Sequence, residues 1–478
     1  MNALSGALRP MHRIRRVHMV GIGGSGMCGI AEVLVNLGFE VSGSDMKSSQ
    51  TTRQLESLGV TIHQGHAAEN IGNADVLVVS TAIPKDNREV LAAREARLPV
   101  VPRAQMLAEI MRFRRGIAVA GTHGKTTTTS LAASLLAEAD LDPTFVIGGV
   151  VNAWGSNARL GKGEYLLAEA DESDGSFLLL QPIMAVVTNI DRDHMDAYKG
   201  DFAALRQAFL EFLQHLPFYG TAFLCIDDDE VRGIVTQVSR AVVTYGFSED
   251  ADIQAFGMQQ QGRKTRFSVR LPNTESPLKV SLNLPGAHNV RNALGAIAVA
   301  WELGLNLPEL VGCLDEFAGI GRRFADLGFR RLGERSAQFI EDYGHHPTEL
   351  AATLSAARLG WPKRRIVAVF QPHRYSRTRD LFDDFSRVLS DADSLVLTDI
   401  YAAGEAPIPG VESSALCHSI RIRGKVDPIL VHDIGDVLGE LPGIIQDGDL
   451  VLLLGAGSIE QLAQEVKNMP LGEDCRND

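Results

Sequence analysis

The sequence contains few cysteines, no long apolar run and no excess of positive charge. Its five cysteines are scattered and show no C-x-x-C spacing, which argues against a disulfide scaffold or a structural zinc site and favours a reducing compartment such as the cytoplasm. The lack of any stretch of about 18 uninterrupted apolar residues argues against a membrane span. The 46 basic and 59 acidic residues give a formal net charge of −13, which argues against binding to a nucleic-acid backbone.

The length and composition indicate a globular protein of several domains. The chain has 478 residues, of which 45% are hydrophobic and 22% are charged, and ordinary domains have roughly 100–200 residues. Strand-like and helix-like segments alternate in three successive stretches, which predicts three α/β units with largely parallel sheets. We place the three domains at residues 1–113, 114–322 and 323–478.

Short apolar segments mark the predicted strands of each unit. They comprise residues 17–20, 40–45 and 75–80 in the first unit, 117–120, 165–168 and 185–188 in the second, and 337–340, 365–370, 394–397 and 450–454 in the third. Polar and apolar side chains alternate near residues 240–284, which predicts a β-rich insertion. A helix is expected from residue 289 to about residue 304.

A glycine-rich loop with a lysine follows the first predicted strand of the second unit. Residues 121–128 read GTHGKTTT, and such a turn lets backbone N–H groups and a helix N-terminus surround a phosphate. Lys125 would reach the β- and γ-phosphates of a nucleotide, and the Thr126 hydroxyl would bind Mg²⁺. The match to the full P-loop pattern is imperfect, because its first glycine would fall at Val119. The alternative is an ordinary turn with a surface lysine.

A second glycine loop opens the first unit. Residues 21–26 read GIGGSG after a predicted strand, and Asp45 ends the next strand about 20 residues later. This is the dinucleotide-binding fingerprint with its ribose-binding acid. The pattern by itself does not separate NAD from a UDP-sugar, and a tight strand–helix turn without a ligand remains an alternative.

Two acidic strings follow strands of the second unit. Residues 169–174 read EADESD, and residues 189–196 read NIDRDHMD. Carboxylates at strand ends beside a phosphate loop are a common way to hold Mg²⁺ against phosphates. We therefore predict a divalent metal site here, with a solvated acidic loop as the alternative, and zinc is disfavoured because no His/Cys quartet has ligand spacing.

The ordered set of strings closely resembles the Mur ligases of bacterial peptidoglycan synthesis, and in particular their alanine-adding branch. The strings are GIGGSGMCGIAE from residue 21, GTHGKTTT, EADESD, NIDRDHMD, PGAHNVRNA from residue 285, GRRF from residue 321, DYGHHPTE from residue 342 and FQPHRYSR from residue 370. The resemblance covers about residues 14–460. Each string is moderately specific, but their ordered combination is highly specific.

The resemblance implies a fold, a reaction and a set of partners. The fold would comprise an N-terminal Rossmann-like domain for a UDP-sugar, a central P-loop ATPase-type domain and a C-terminal Rossmann-like domain for an amino acid. The reaction would be ATP-dependent amide formation between the lactyl carboxylate of UDP-N-acetylmuramic acid and L-alanine, with an acyl phosphate and a tetrahedral intermediate, giving ADP and phosphate. The enzyme would act in the bacterial cytoplasm as a monomer or weak homodimer, without nucleic-acid or membrane partners.

The resemblance also implies roles for individual residues. The ATP site would comprise Gly121, Thr122, His123, Gly124, Lys125, Thr126, Thr127, His288, Asn289, Asn292, Arg323 and Asp342. The UDP-sugar site would comprise Gly23, Gly24, Ser25, Gly26, Met27, Asp45, His66, Thr81 and Ala82. Magnesium would be held by Thr126, Glu169 and His194. The amino acid would meet His345, Arg374 and Arg377. Catalysis would depend on Lys125, Glu169, His194, His345 and Arg377.

The sequence departs from the family at two positions. Phe209 stands where several sister ligases carry a carbamylated lysine, which the alanine-adding branch also lacks, so it is open what orients the second metal. Glu341 stands where the branch often has aspartate. Three alternatives to the alanine ligase are a tripeptide-recycling ligase acting on the same UDP-sugar, an NAD(P)-dependent oxidoreductase, and a non-catalytic nucleotide-binding protein. The SGMCGIAE string from residue 25 favours the single-amino-acid enzyme over the recycling ligase.

Overall fold

The protein is an α/β protein with three sheets, as the strand–helix alternation predicts. The computed structural model describes residues 11–80 and 82–472. Within these residues no helix is both long and apolar enough to cross a membrane. The predicted site residue Thr81 lies outside the described residues, as does the side chain of Ser25.

The described chain contains 21 strands and 16 α-helices, with short 3₁₀ helices between some of them. The strands are β1 (Arg16–Val20), β2 (Glu40–Asp45), β3 (Thr61–Gln64), β4 (Val76–Val79), β5 (Val100–Pro102), β6 (Arg115–Ala120), β7 (Thr144–Val151), β8 (Ser156–Arg159), β9 (Tyr165–Glu169), β10 (Met184–Val187), β11 (Thr221–Cys225), β12 (Ala241–Gly246), β13 (Ile253–Gln261), β14 (Lys264–Arg270), β15 (Leu278–Leu282), β16 (Ala325–Leu332), β17 (Arg335–Asp342), β18 (Ile366–Phe370), β19 (Ser394–Thr398), β20 (Ile429–Val431) and β21 (Leu450–Leu454). The helices are α1 (Ser25–Asn36), α2 (Gln50–Ser57), α3 (Arg88–Glu95), α4 (Arg103–Met111), α5 (Lys125–Glu138), α6 (Phe202–Gln214), α7 (Asp229–Ile234), α8 (Ala287–Glu302), α9 (Leu307–Leu310), α10 (Gly312–Asp315), α11 (Pro347–Gly360), α12 (Tyr375–Asp380), α13 (Phe382–Leu389), α14 (Ser413–Arg423), α15 (Val437–Ile444) and α16 (Ile459–Asn468).

The first sheet is fully parallel and has the strand order β3-β2-β1-β4-β5. Its central strand β1 is almost entirely buried after Arg16, because helices cover both faces of a parallel sheet. From β1 the chain continues to β2 and β3 on one side of the sheet, and it then returns to form β4 and β5 on the other side of β1. The glycine loop that follows β1 therefore lies at the carboxyl edge of the strands, where ligands bind in such sheets.

The central sheet has the order β15-β14-β13-β12-β11-β10-β6-β9-β7-β8. Strands β12, β11, β10, β6, β9 and β7 are parallel, and β8 returns antiparallel to β7. The loops after β6, β9 and β10 thus leave the same edge of the sheet. These loops carry the GTHGKTTT, EADESD and NIDRDHMD strings, which explains how three distant parts of the sequence come together.

The third sheet has the order β16-β17-β21-β18-β19-β20. All its pairs are parallel except the antiparallel pair of β16 and β17. Strands β18, β19 and β21 are wholly buried, and one apolar cluster covers each face of the sheet. The DYGHHPTE and FQPHRYSR strings follow the carboxyl ends of β17 and β18.

The strand predictions agree well with the structure, with boundary shifts of one or two residues. The β-rich insertion is confirmed as β12–β15, and the helix expected from residue 289 is α8. The sequence analysis missed the strands β3, β5, β7, β8, β11, β16 and β20, of which β7 and β11 are apolar and largely buried. The chain forms two compact units, one comprising residues 1–256, 269–278 and 291–314 and the other residues 257–268, 279–290 and 315–478. The three predicted domain boundaries stay predictions.

Candidate active site

The glycine loop of the central sheet joins β6 to α5, as its sequence predicts. Gly121 has φ +130° and Gly124 has φ +85°, backbone conformations that side chains other than hydrogen rarely allow. A Cβ at Gly121 would collide with the Thr188 hydroxyl, and one at Gly124 would collide with the amide oxygen of Asn292. The loop therefore requires both glycines, and it leaves the N-terminus of α5 open without a side-chain cap.

The NIDRDHMD string lies directly beside this loop. The backbone N–H of Thr122 donates to the Asn189 carbonyl at 3.1 Å, and that of His123 donates to Asn189 Oδ1 at 2.8 Å. His123 Nε2 lies 3.0 Å from Asp191 Oδ2, and the Asp191 N–H donates to Thr122 Oγ1 at 2.8 Å. The predicted nucleotide residues Thr122 and His123 are therefore held in place by side chains and backbone of the second acidic string.

Lys125 is the first residue of α5 and points back over the loop. Its ammonium donates to the carbonyls of Gly121 at 2.6 Å and Thr122 at 3.1 Å, and to Glu172 Oε2 at 2.7 Å. Burial by itself lowers the pKa of Lys125, but Glu172 and the other nearby carboxylates outweigh it and raise the pKa above its usual value. The lysine is therefore a fixed positive charge at the N-terminus of α5. Behind it, Thr127 is buried in the helix and Thr128 donates to Asn292 at 3.3 Å.

The side chains of Thr126, Glu169 and His194 were predicted to hold Mg²⁺. Glu169 ends β9 and accepts the N–H of Gly148 at 2.7 Å, and Thr126 lies in the first turn of α5. His194 has φ +54° and its Nε2 lies 3.5 Å from Asp193 Oδ2. The Glu169 carboxylate and the Thr126 hydroxyl are oxygen ligands of the kind that Mg²⁺ prefers, whereas the His194 imidazole is a nitrogen ligand more typical of transition metals. The magnesium site formed by these three residues stays a prediction.

A cleft of about 260 Å³ lies between the first glycine loop and the central acids. Its walls include Gly24, Gly26, Arg103, Glu169 and Asp171. The Arg103 guanidinium lies against Gly26, so that a Cβ there would collide with it. It also lies 3.5 Å from Asp171 Oδ2. The cleft thus combines the Arg103 guanidinium and the backbone of the first glycine loop with the carboxylates of Glu169 and Asp171.

The first glycine loop joins β1 to α1 and is held against the end of β2. The N–H groups of Gly21 and Ile22 donate to the Ser44 carbonyl at 2.9 and 3.1 Å, and the Gly23 N–H donates to Asp45 Oδ2 at 2.9 Å. Helix α1 begins at Ser25, and its N-cap Gly24 provides no side-chain cap. The predicted partners Gly23 and Asp45 are therefore in contact.

The other predicted UDP-sugar residues lie near this turn. Met27 is buried and also lines the cleft. Ala82 is exposed in the turn after β4, and its N–H lies 3.4 Å from Ser80 Oγ. Ser80 lines the same cleft. This turn therefore adds a hydroxyl and a small side chain to the edge that carries the glycine loop.

His66 belongs to a buried polar network that the sequence analysis did not anticipate. The carboxylate of Glu89 is fully buried and accepts from Ser44 Oγ at 2.6 Å and Asn70 Nδ2 at 2.6 Å. His66 Nδ1 lies 3.0 Å from the same carboxylate, and His18 Nε2 lies 3.6 Å from it. Burial would raise the pKa of Glu89, but hydrogen bonds from His18, Ser44 and Asn70 outweigh it and lower the pKa to about 2.

The segment predicted to face adenine begins α8. Gly286 precedes it with φ +93°, and Asn289 Nδ2 donates to the Pro285 carbonyl at 2.7 Å. The imidazole of His288 lies so close to Gly286 that a Cβ there would collide with it. Asn292, one turn further, reaches the central glycine loop as described above. Of the three predicted residues, Asn292 is thus placed at the loop, and the adenine contacts of His288 and Asn289 stay predictions.

Asp342 and Arg323 occupy the start of the third sheet. Asp342 ends β17, is buried, and accepts from the N–H groups of Phe324 at 2.8 Å and Gly344 at 2.9 Å. Burial raises the pKa of Asp342, although the nearby Arg323 opposes the change. Arg323 lies 5.1 Å from the ring centroid of Tyr343. Both Asp342 oxygens therefore already support the local turn, and its ribose contact stays a prediction.

The predicted amino-acid residues form one cluster at the carboxyl edge of the third sheet. The His345 and His373 rings are 5.7 Å apart, and His373 stacks on Tyr401 at 5.5 Å. Arg377 is 7% exposed, and its Nη1 lies 3.3 Å from His373 Nδ1. Arg374 has φ +70°, and its buried Nε has no hydrogen-bond partner among the described residues. The Arg377 guanidinium beside two imidazoles suits recognition of a carboxylate, whereas the contribution of the Arg374 guanidinium stays a prediction.

Four residues of these sites were not singled out from the sequence. Arg103 starts a helix after the short strand β5 and carries no motif. Glu172 stands within the EADESD string, but the sequence does not distinguish the roles of its four acids. Glu89 and Tyr401 are isolated in the sequence. Their contacts in the folded structure identify them: Arg103 with Asp171, Glu172 with Lys125, Glu89 with His66 and Tyr401 with His373.

Comparisons with known proteins match most of the chain to one family. Residues 16–115 match the catalytic domain model of the Mur ligase family, residues 119–300 match the Mur ligase middle domain, and residues 329–457 match the Mur ligase glutamate ligase domain. The chain is similar to UDP-N-acetylmuramate–alanine ligase from Thermotoga maritima, with 28% identity, a TM-score of 0.78, and coverage of 94% of this chain and 98% of that chain.

Two further solved structures are similar. The UDP-N-acetylmuramate:L-alanyl-γ-D-glutamyl-meso-diaminopimelate ligase from Neisseria meningitides has 30% identity and a TM-score of 0.59, and the match covers 65% of this chain and 100% of that chain. A murein peptide ligase from Psychrobacter arcticus has 24% identity, a TM-score of 0.69 and coverage of 96% and 100%, which supports the fold. The chain therefore belongs to the Mur ligase family of ATP-dependent ligases of peptidoglycan synthesis.

Proposed function

We propose that the protein joins L-alanine to the lactyl carboxylate of UDP-N-acetylmuramic acid and converts ATP to ADP and phosphate. The observation that carries this proposal is that the acids after β9 contact Lys125 of the central glycine loop and also line the cleft beside the first glycine loop. A nucleotide phosphate and an acidic sugar need such a place, because two anions react only where cations and N–H dipoles offset their repulsion.

The proposed chemistry begins with activation of the sugar carboxylate. Its oxygen attacks the γ-phosphorus of ATP, ADP leaves, and the product is an acyl phosphate. The alanine amine then attacks the acyl carbon, and the tetrahedral intermediate expels phosphate to give the amide. Lys125 places its charge at the helix N-terminus, where negative charge develops on the transferring phosphoryl group. Mg²⁺ held by Thr126, Glu169 and His194 would supply positive charge between the two anions.

The first domain would hold the UDP-sugar. The backbone N–H groups at the start of α1 suit the diphosphate, Asp45 is close enough to the loop to meet a ribose hydroxyl, and Arg103 would contact an anionic group in the cleft. His66 has its Nδ1 turned toward Glu89 and Ser44, which leaves Nε2 as the nitrogen available to a ligand. Because the Arg103 guanidinium lines the cleft beside Gly26, we assign Arg103 as an additional residue that binds the UDP-sugar.

The cluster of the third sheet would hold the amino acid. Arg377 and Arg374 would donate to the alanine carboxylate, and His345 would lie beside it. The amine must be neutral when it attacks, so this carboxylate contact orients the nucleophile rather than supplying the chemistry. A small side chain is consistent with the Tyr343 and His373 rings packed against His345 and with Tyr401 stacked on His373.

A tripeptide-recycling ligase is the second candidate. It is favoured by the 30% identity to the Neisseria enzyme, although that match covers 65% of this chain. The alanine ligase is favoured by the match to the Thermotoga enzyme, whose TM-score of 0.78 exceeds the 0.69 of the murein peptide ligase although both matches span nearly the full length of this chain. Both candidates share the UDP-sugar and ATP and differ in the nucleophile. The oxidoreductase alternative leaves Lys125 and the acids after β9 without a role, and it disagrees with the family matches.

The decisive experiment measures phosphate release with ATP, Mg²⁺ and UDP-N-acetylmuramic acid, and offers L-alanine and the tripeptide in separate reactions. We expect release that depends on L-alanine, with the amide product identified by its mass. A higher kcat/KM for the tripeptide would replace the proposed substrate. Binding of NADH without binding of the UDP-sugar would contradict the ligase proposal, and ATP binding without phosphate release would favour a non-catalytic protein.

A further inference from the structure

Glu172 is the acid of the EADESD string that contacts the phosphate-loop lysine. Its side chain is 1% exposed, and its Oε2 lies 2.7 Å from Lys125 Nζ. Its other oxygen, Oε1, is buried and has no hydrogen-bond partner among the described residues. A buried carboxylate with one unsatisfied oxygen is costly, so this acid merits an explanation beyond packing.

The ammonium of Lys125 has no N–H to spare in this arrangement. It carries three donors, and they are directed at the Gly121 carbonyl, the Thr122 carbonyl and Glu172. The two carbonyls belong to a loop whose backbone is held by Asn189. To donate to a phosphate oxygen, Lys125 must therefore give up a contact, and the contact to a side chain is the one that can be exchanged.

We propose that Glu172 is a positioning residue that competes with the terminal phosphate of ATP for Lys125, and so sets the affinity of the nucleotide site. This inference rests on the proposed function, since it assumes that ATP binds at the Lys125 loop. In the resting protein, Glu172 keeps the ammonium over the loop and neutralises it. When ATP binds, the phosphate displaces the carboxylate.

The backbone that carries Glu172 is held in place, which limits how far the displaced carboxylate can move and gives the competition its cost. The Glu172 carbonyl accepts the Tyr198 hydroxyl at 2.5 Å and the Gly175 N–H at 3.0 Å, so side-chain rotation is the movement left to the carboxylate. The carboxylate therefore stays near the triphosphate, where like charges repel. Burial raises the pKa of Glu172 and the adjacent Lys125 ammonium opposes this change, so the ionised form of the carboxylate depends on its contact with Lys125.

The test is the dissociation constant of the β,γ-imido analogue of ATP, measured with Mg²⁺ by calorimetry on the full chain. Glu172→Gln keeps the side-chain size and removes the charge. We expect about tenfold tighter binding, the equivalent of one charge-assisted hydrogen bond that no longer has to be exchanged. Asp174→Asn is the matched control, because Asp174 lies in the same loop, is exposed, and accepts only a local N–H from Ser176. It should change the constant less than twofold.

The kinetic counterpart separates this role from a structural one. In Glu172→Gln the KM for ATP should fall while kcat changes less than about threefold, whereas simple loss of packing would lower stability without tightening nucleotide binding. Glu172→Met, which leaves no buried polar atom, should give the same tightening and replaces the glutamine variant if that does not fold. Unchanged or weaker binding in these variants overturns the inference. Absence of analogue binding to the wild-type protein would instead refute the proposed function.

Discussion

The fully buried Glu89 offers the sharpest prediction about the first domain. Its carboxylate has a pKa of about 2 in place of the ordinary value of 4.5, because hydrogen bonds from His18, Ser44 and Asn70 outweigh the effect of burial. At about 1.4 kcal/mol for each pH unit of difference, the folded state gains about 3 kcal/mol at neutral pH from this ionised acid. We therefore expect Glu89→Gln to destabilise the first domain by about 3 kcal/mol at pH 7.

The same prediction has a definite pH dependence. The folded pKa of Glu89 is lower than the unfolded value, so its stabilising contribution is present above pH 4.5 and is lost as the pH falls toward 2. The difference between wild type and Glu89→Gln should therefore shrink on acidification and reach roughly half its neutral value near pH 3. A difference that grows as the pH falls would refute the reasoning, as would equal stability at pH 7.

Amide hydrogen exchange is the suitable assay for this prediction. The first tryptophan of the chain is Trp154 and the first tyrosine is Tyr165, so aromatic fluorescence does not report on residues 1–113. Exchange in β1, β2 and β4, corrected for the intrinsic rate at each pH, gives the local free energy of opening. Glu95→Gln is the matched control, because Glu95 lies on the same helix α3 and is exposed. It should leave the exchange in these strands unchanged.

Four further variants test the proposed sites. Lys125→Ala should lower phosphate release by at least about 100-fold while UDP-sugar binding persists, and wild-type turnover would contradict its role. Gly124→Ala should weaken ATP binding without affecting the UDP-sugar, because Gly124 has φ +85° and a Cβ would collide with Asn292; unaltered ATP affinity would count against this. Arg103→Met should raise the KM for the UDP-sugar about tenfold, and an unchanged value would remove Arg103 from that site. Arg377→Ala should raise the KM for L-alanine far more than that for ATP, and an equal effect on both would argue against a carboxylate contact.

Much of the fold follows from local sequence patterns. The strands 365–370 and 450–454 are almost continuous apolar segments between turn signals, and the structure has them within a residue of the predicted ends. The missed strands β3 and β5 have three or four residues without a wholly buried side chain, so they carry little apolar signal. Strand pairing with β2 and β4 is what makes them strands.

Only those site residues that belong to a recognisable turn motif could be predicted from the sequence. Gly121, Gly124 and Lys125 stand in a string that the required turn almost dictates. The partners that determine the charge of the site are different, because Glu172, Arg103 and Glu89 are ordinary acids and bases in the sequence. Their roles arise from contacts with residues between 23 and 68 positions away, and no local pattern records such contacts.

The sequence by itself determined the two glycine loops, the acids at strand ends and the three α/β units, because turns, strand periodicity and helix N-termini depend on neighbouring residues. The tertiary structure alone decided which acid neutralises Lys125, which cation enters the cleft and which carboxylate is buried beneath His66. Those choices depend on the order of strands in each sheet and on the desolvation of individual side chains, and both are properties of the packed chain.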